Sequence, residues 1–237
     1  MIAKLSLFAL LTAGATACTV TESDSILTRG MFADISATAD GTGSTTVSTT
    51  LFLGPPSDLI FINLVGGDEL IAHNGNQSKV MSESIILNIV SHHATFAVDD
   101  EDALFEVEFV RDVDAGAPSS IVTLPAGFTL GAVPASVSRN VDFGVNWTGT
   151  GAAADDMSWT ADGSCIEGAS GRLSGDPGSV TMPAGTFRKL SGANIPDSCQ
   201  VKVTIERERD GDVDLAFGKG GTATGVQTRS VTFASTP

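Results

Sequence analysis

Asp210-Gly211-Asp212-Val213-Asp214 sets a carboxylate at every second position, the spacing at which oxygen ligands converge on a hard cation such as calcium. The run departs from the fuller calcium-loop pattern, with Leu215 where a glycine should stand and Gly221 where a bidentate glutamate should. It reads equally as a hairpin tip: Glu206-Arg207-Glu208-Arg209 leads up to an Asp-Gly turn, and Phe217 returns to the core. Asp99-Asp100-Glu101-Asp102 is a second acidic run, either a solvated loop or a loose site for divalent ions. A hydrolase of glycan or peptide would need two facing carboxylates, one with a raised pKa, and could draw on Asp99, Glu101, Asp155 and Asp156. His92 and His93 are adjacent, so on a strand they point to opposite faces, and His73 is remote in sequence; no metal site is expected from them. Ser170 lacks the Gly-x-Ser-x-Gly spacing of an activated nucleophile and is expected in a loop. Gly218-Lys219-Gly220-Gly221 lacks the upstream glycine and following helix of a phosphate-binding loop. Asn76-Gln77-Ser78 and Asn146-Trp147-Thr148 match the glycosylation sequon by chance. No catalytic set and no cofactor motif is assembled.

The elements that would position these residues are short and alternating. Met31 to Thr38 and Thr46 to Leu53 alternate around the turn Asp40-Gly41-Thr42-Gly43. Leu59 to Leu64 and Glu69 to Ala72 follow, and Asn74-Gly75-Asn76 is a hairpin cue. Ser82 to His93 has helical length, but Ile85-Ile86-Leu87 and Ile89-Val90 are too β-branched and continuous for a helix, which predicts a buried strand. Ala94 to Val98 and Leu104 to Val110 complete the first half. Asp112 to Pro118 is polar with Gly and Pro, a domain boundary. Beyond it, Ser120 to Leu124, Phe128 to Leu130, Val141 to Trp147, Met157 to Thr160, Ser179 to Met182, Gln200 to Arg207 and Thr228 to Ala234 read as strands. With no tyrosine and abundant Gly, Ser, Thr and Val, the composition is one of strands and turns. The fold class expected is all-β, two tandem antiparallel β-sandwich (Ig-like) domains over 29–115 and 116–237. Phe105 to Asp112 and Val201 to Arg207 are a faint internal echo of one another.

At the amino end, Met1-Ile2-Ala3-Lys4 is a short basic start, Leu5 to Ala13 is apolar, and Ala15-Thr16-Ala17 closes on Cys18. This layout resembles a bacterial lipoprotein signal. The resemblance implies cleavage after Ala17, so that 1–17 is a signal peptide and Cys18 the acylated first residue of the mature chain. Two alternatives stay open: Ala15-Thr16-Ala17 also fits ordinary signal peptidase, and a membrane span would need roughly 20 apolar residues, more than this run supplies. Residues 18–28 are polar and aperiodic, and read as a tether. With Cys18 taken by lipid, Cys165 and Cys199 remain as an even pair in an oxidising compartment, and a disulfide is expected; two buried reduced thiols are the other reading.

The net charge of −15, made more negative when Lys4 leaves with the signal, excludes nucleic acid as a default partner. It also repels an anionic membrane surface within a Debye length of about 8 Å, so attachment would come from acyl chains on Cys18. Residues 118–237 further resemble C-terminal domains of uncharacterised bacterial envelope proteins, through Gly163-Ser164-Cys165-Ile166, Met182-Pro183-Ala184-Gly185-Thr186, Asp197-Ser198-Cys199, Ala216 to Gly221 and Arg229 to Phe233. That likeness implies a disulfide-linked β domain at an envelope surface and no activity. The expectation is a lipid-anchored envelope protein of structural or binding type, with a protein or glycan partner. Thr19 after the cysteine is not the Asp that holds enteric lipoproteins at the inner membrane, which favours the outer membrane. An envelope hydrolase and a calcium-dependent adhesin are the alternatives.

Overall fold

The computed structural model describes residues 19–153 and 155–237, so Cys18 and the signal lie outside the described residues. Alternation becomes structure first in the hairpin of β2 (Met31–Ala39) and β3 (Thr45–Leu53), where Met31, Ala33, Ile35, Ala37 and Ala39 face inward. Asp40 closes its turn by accepting the Thr42 amide at 3.0 Å, with Gly41 and Gly43 in the left-handed region. Preceding them, β1 (Thr19–Glu22) lies parallel to β4 (Ile60–Asn63). Next come β5 (Glu69–Asn74), β6 (Gln77–Val80), β7 (Ser82–Ile86), β8 (Ile89–Phe96), β9 (Leu104–Val110) and β10 (Ala117–Thr123). Then follow β11 (Thr129–Leu130), β12 (Ser136–Ser138), β13 (Phe143–Thr148), β14 (Asp156–Gly163), β15 (Ala169–Leu173), β16 (Ser179–Met182), β17 (Cys199–Asp210) and β18 (Gly221–Thr236).

One large sheet runs β1-β4-β3-β2-β18-β17-β14-β15, with β8 and β7 also attached through β3, and β12 through β18. The sheet β10-β9-β5-β6 covers one end of it and β11-β13-β16 the other, so the molecule is an all-β sandwich. Two apolar cores result. The first gathers Met31, Ile35, Leu51, Leu70, Phe96, Phe105 and Phe109; the second gathers Phe143, Val145, Trp147, Met157, Val203, Ile205 and Phe233. The β17–β18 hairpin spans both, pairing from Cys199↔Ser235 to Asp210↔Thr224. The sheet is not purely antiparallel: β18 runs parallel to β2 over Gly221–Gln227 and parallel to β12 over Ala234–Thr236. A disulfide joins Cys165 to Cys199, 34 positions apart with Cα atoms separated by 5.7 Å, and ties the turn after β14 to the start of β17.

Several local expectations are corrected. The tether expected over 18–28 is packed down: Thr19 opens a strand, Ser23 and Thr28 are buried, and Arg111 donates to the carbonyls of Ser23 at 2.6 Å and Ile26 at 2.8 Å. The break expected between 115 and 116 is not where the cores divide, because Ala117, Val122, Leu124, Phe217 and Ala223 all pack into the first core. The buried strand expected over Ile85–Val90 is instead the tip of the β7–β8 hairpin, where Val90 is buried and Ile85, Ile86, Leu87 and Ile89 are exposed. Ser170, expected in a loop, sits on β15 opposite Thr160.

Candidate functional site

Along β17 the inward face reads Val201, Val203, Ile205, then Arg207. Where the apolar face passes from the second core toward the first, alternation continues and the residue type changes to cation. Arg207 is fully buried; it donates to the carbonyls of Ala126 at 2.5 Å and Gly149 at 2.7 Å, and to Asp176 at 2.5 Å. Burial alone would push the Asp176 carboxyl up, but the amides of Gly151 and Gly178, the Trp147 indole and Arg207 together hold it below the ordinary value. Arg209 grips Asp155 with both Nε (2.7 Å) and Nη2 (3.2 Å), and also reaches Asp102 at 2.5 Å. The guanidinium carbons of Arg207 and Arg229 lie 5.0 and 5.4 Å from the Phe128 ring centroid. This belt of arginines closes the junction between the cores and fixes the chain that crosses it.

Beside the belt, a groove of about 580 Å3 opens along β18. The β18 edge is covered by β2 as far as Gln227 and by β12 from Ala234, and no described strand pairs with that edge over the residues between. Arg229, Lys202, Thr228, Thr129 and Ser230 line the groove together with Asp40 and Phe128. Burial lowers the Arg229 pKa against the opposing pull of Asp99 and Asp40, and neither carboxylate comes within ion-pair distance. Two cations and three hydroxyls against the single carboxylate of Asp40, in a chain of net charge −15, make this groove suited to a carboxylate- or hydroxyl-bearing ligand. Sequence reasoning missed it, since the groove lies along the stretch of β18 left uncovered between β2 and β12, a gap that only long-range strand pairing creates.

The second distinctive surface is the β7–β8 tip. Leu87 and Asn88 both have positive φ, 52° and 66°, the pairing of a type I′ turn that Asn-Gly normally fills. A left-handed leucine costs roughly 1–2 kcal/mol, and here the side chain is 87% exposed, so no packing offsets that cost.

The residues singled out by sequence are dispersed. Asp214 accepts the amides of Ser119, at the irregularity in β10, and of Ala216, in the turn that follows it, and Asp212 exchanges backbone hydrogen bonds with Ile121. Asp99 accepts the Gly43 amide, Asp102 and Asp155 are taken by Arg209, and Asp156 is exposed at the start of β14. Glu101 is exposed in the loop before β9. His92 is buried, 3.9 Å from Glu83, and His93 is held by Ser48 and Ser91, each at 2.9 Å. His73 pairs with Glu108. Among the described residues, no three His, Cys, Asp or Glu side chains gather where a metal ion could be held. Cys18, the expected lipidation residue, lies outside the described residues.

No family model matches the chain, and no curated protein matches it. Among solved structures it is similar to one described as the crystal structure of DIP-gamma IG1+IG2, at 8% identity and a TM-score of 0.24, over 86% of this chain and 95% of that one. So loose a superposition carries nothing about partner or activity.

Proposed function

We propose that the protein is a lipid-anchored, non-enzymatic binding module of a bacterial cell envelope, held by acyl chains on Cys18 and presenting the Arg229–Lys202 groove to a ligand that bears carboxylates or hydroxyls. The observation that carries this reading is the seat of Thr19. Its amide donates to Leu59 and its strand pairs with β4, so an acylated Cys18 leaves the fold no spacer from the bilayer. The groove begins at Thr228, seven positions along β18 from Gly221, which at about 3.3 Å per residue places it roughly 20–25 Å along the strand from the end where β2 and β18 start. A non-catalytic role is supported by the way the candidate carboxylates are spent: Asp155 on Arg209, Asp99 on the Gly43 amide.

Radiolabelled palmitate incorporation in wild type and Cys18→Ser, followed by membrane fractionation, tests the anchor. Label and a stable membrane pellet in wild type, both lost in Cys18→Ser, are expected; an unlabelled soluble wild type refutes it. Calorimetric titration with carboxylate-bearing oligosaccharides and acidic peptides, wild type against Lys202→Glu, tests the groove. Equal heats for both proteins would remove the groove from the reading.

A further inference from the structure

We propose that the β7–β8 hairpin tip is a second membrane contact, with Ile85, Ile86, Leu87 and Ile89 entering the interfacial zone of a zwitterionic bilayer. Its orientation rests on the acyl-anchor reading above; its chemistry does not. From Ser84 to Ser91 the hairpin carries no charge, and its exposed large side chains are all aliphatic. The tip stands off the sheet: β3 pairs with β8 only as far as Thr49↔His92, then with β4 at Phe52↔Phe61, so the end of the hairpin projects alone. Four side chains on a convex tip fall short of the roughly 800 Å2 per partner that a stable protein interface buries, and they include none of the Trp, Tyr or Arg that anchor such interfaces. A fluid hydrocarbon boundary requires no complementary shape.

The position of the tip agrees with its chemistry. Val90, at the root of the tip, packs with Phe61, and Phe61 is the strand partner of Val20. Exposed Val20 and Leu59 therefore sit beside the same root, Val20 following Thr19 in the chain and Leu59 accepting the Thr19 amide. Acyl chains on Cys18 would draw this end, and no other, against the bilayer. The anionic body favours an uncharged leaflet over an anionic one. The left-handed leucine fits the same account, because a turn that Asn-Gly would form with less strain instead keeps an apolar side chain at its apex.

The test uses the mature, membrane-extracted protein with Leu87→Cys, labelled with a thiol-linked environment-sensitive dye. Acylated Cys18 and the bridged Cys165–Cys199 leave position 87 as the one reactive thiol. On reconstitution into phosphatidylcholine–phosphatidylethanolamine vesicles, the dye is expected to shift blue, to lose iodide quenching several-fold and to be quenched by shallow spin-labelled lipid. Val141→Cys, exposed near the far end of β18, is the control and is expected to stay iodide-accessible. Hydrogen exchange on the unsubstituted protein is expected to slow over 85–89 when vesicles are added. A dye at position 87 that remains in water while the chain is anchored overturns the proposal. Protection that appears without vesicles and grows with protein concentration also overturns it, in favour of a second copy of the chain. If Cys18 takes dye and its peptide has no acyl mass, the anchor reading fails by itself, and insertion of position 87 still decides the hairpin.

Discussion

Arg207→Met keeps the aliphatic stem of the side chain and removes the guanidinium at the junction of the two cores. The change strips the partner from Asp176, whose side chain is 6% exposed, and frees the carbonyls of Ala126 and Gly149. Breaking one half of a buried ion pair costs about 3–5 kcal/mol, a large share of the 5–15 kcal/mol that holds a domain folded. Trp147 donates to Asp176 at 2.7 Å, so indole fluorescence in a urea titration reads the site directly. The expected result is an unfolding free energy lowered by that amount, with Arg207→Met and Asp176→Asn coupled by at least about 1 kcal/mol in a double-mutant cycle. Arg207→Met costing under about 1 kcal/mol, or strict additivity with Asp176→Asn, would refute the claim that the belt holds the junction.

Cys165→Ala with Cys199→Ala opens a ring of 34 positions and is expected to lower stability by about 3–4 kcal/mol; intact mass under non-reducing conditions, two hydrogen atoms below the reduced chain, checks the bridge. Burial lowers the His92 pKa from its ordinary 6.5 despite nearby Glu83. The unfolded chain therefore binds the extra proton first, and stability is expected to fall as pH drops through 6.5; melting temperatures at pH 7.5 and 5.5 should show a drop that His92→Gln reduces. Leu87→Gly relieves the left-handed leucine and is expected to stabilise the protein by about 1 kcal/mol while abolishing the vesicle contact; melting curves and the vesicle assay of the unanchored and anchored forms separate the two effects.

Alternation made β2, β3 and β9 readable from the sequence, because each turns every second residue into a core, and the Asn-Gly turn marked the β5–β6 hairpin although β6 is exposed throughout. The cysteine pair was readable from its number once Cys18 was set aside. Three features were not. Arg207 and Arg209 sit in a charged run that reads as the approach to a hairpin tip, and only the junction carbonyls with Asp176 and Asp155 hold them inward. Thr19–Glu22 is too short to signal a strand and forms one because β4 offers an open edge. The Leu87–Asn88 turn lacks the glycine by which such turns are recognised, so a hairpin reads as one continuous run. The site groove depends on the gap along β18 between β2 and β12, set by two long-range pairings that local pattern does not specify.

β18 serves both cores, seating Ala223 in the first and Phe233 in the second. β2 and β18 pair across some 180 intervening residues, so that edge of β2 stays bare until residues 221–236 reach it. Deleting that one segment would strip a pairing partner from β2, β12 and β17 at once and open both cores together.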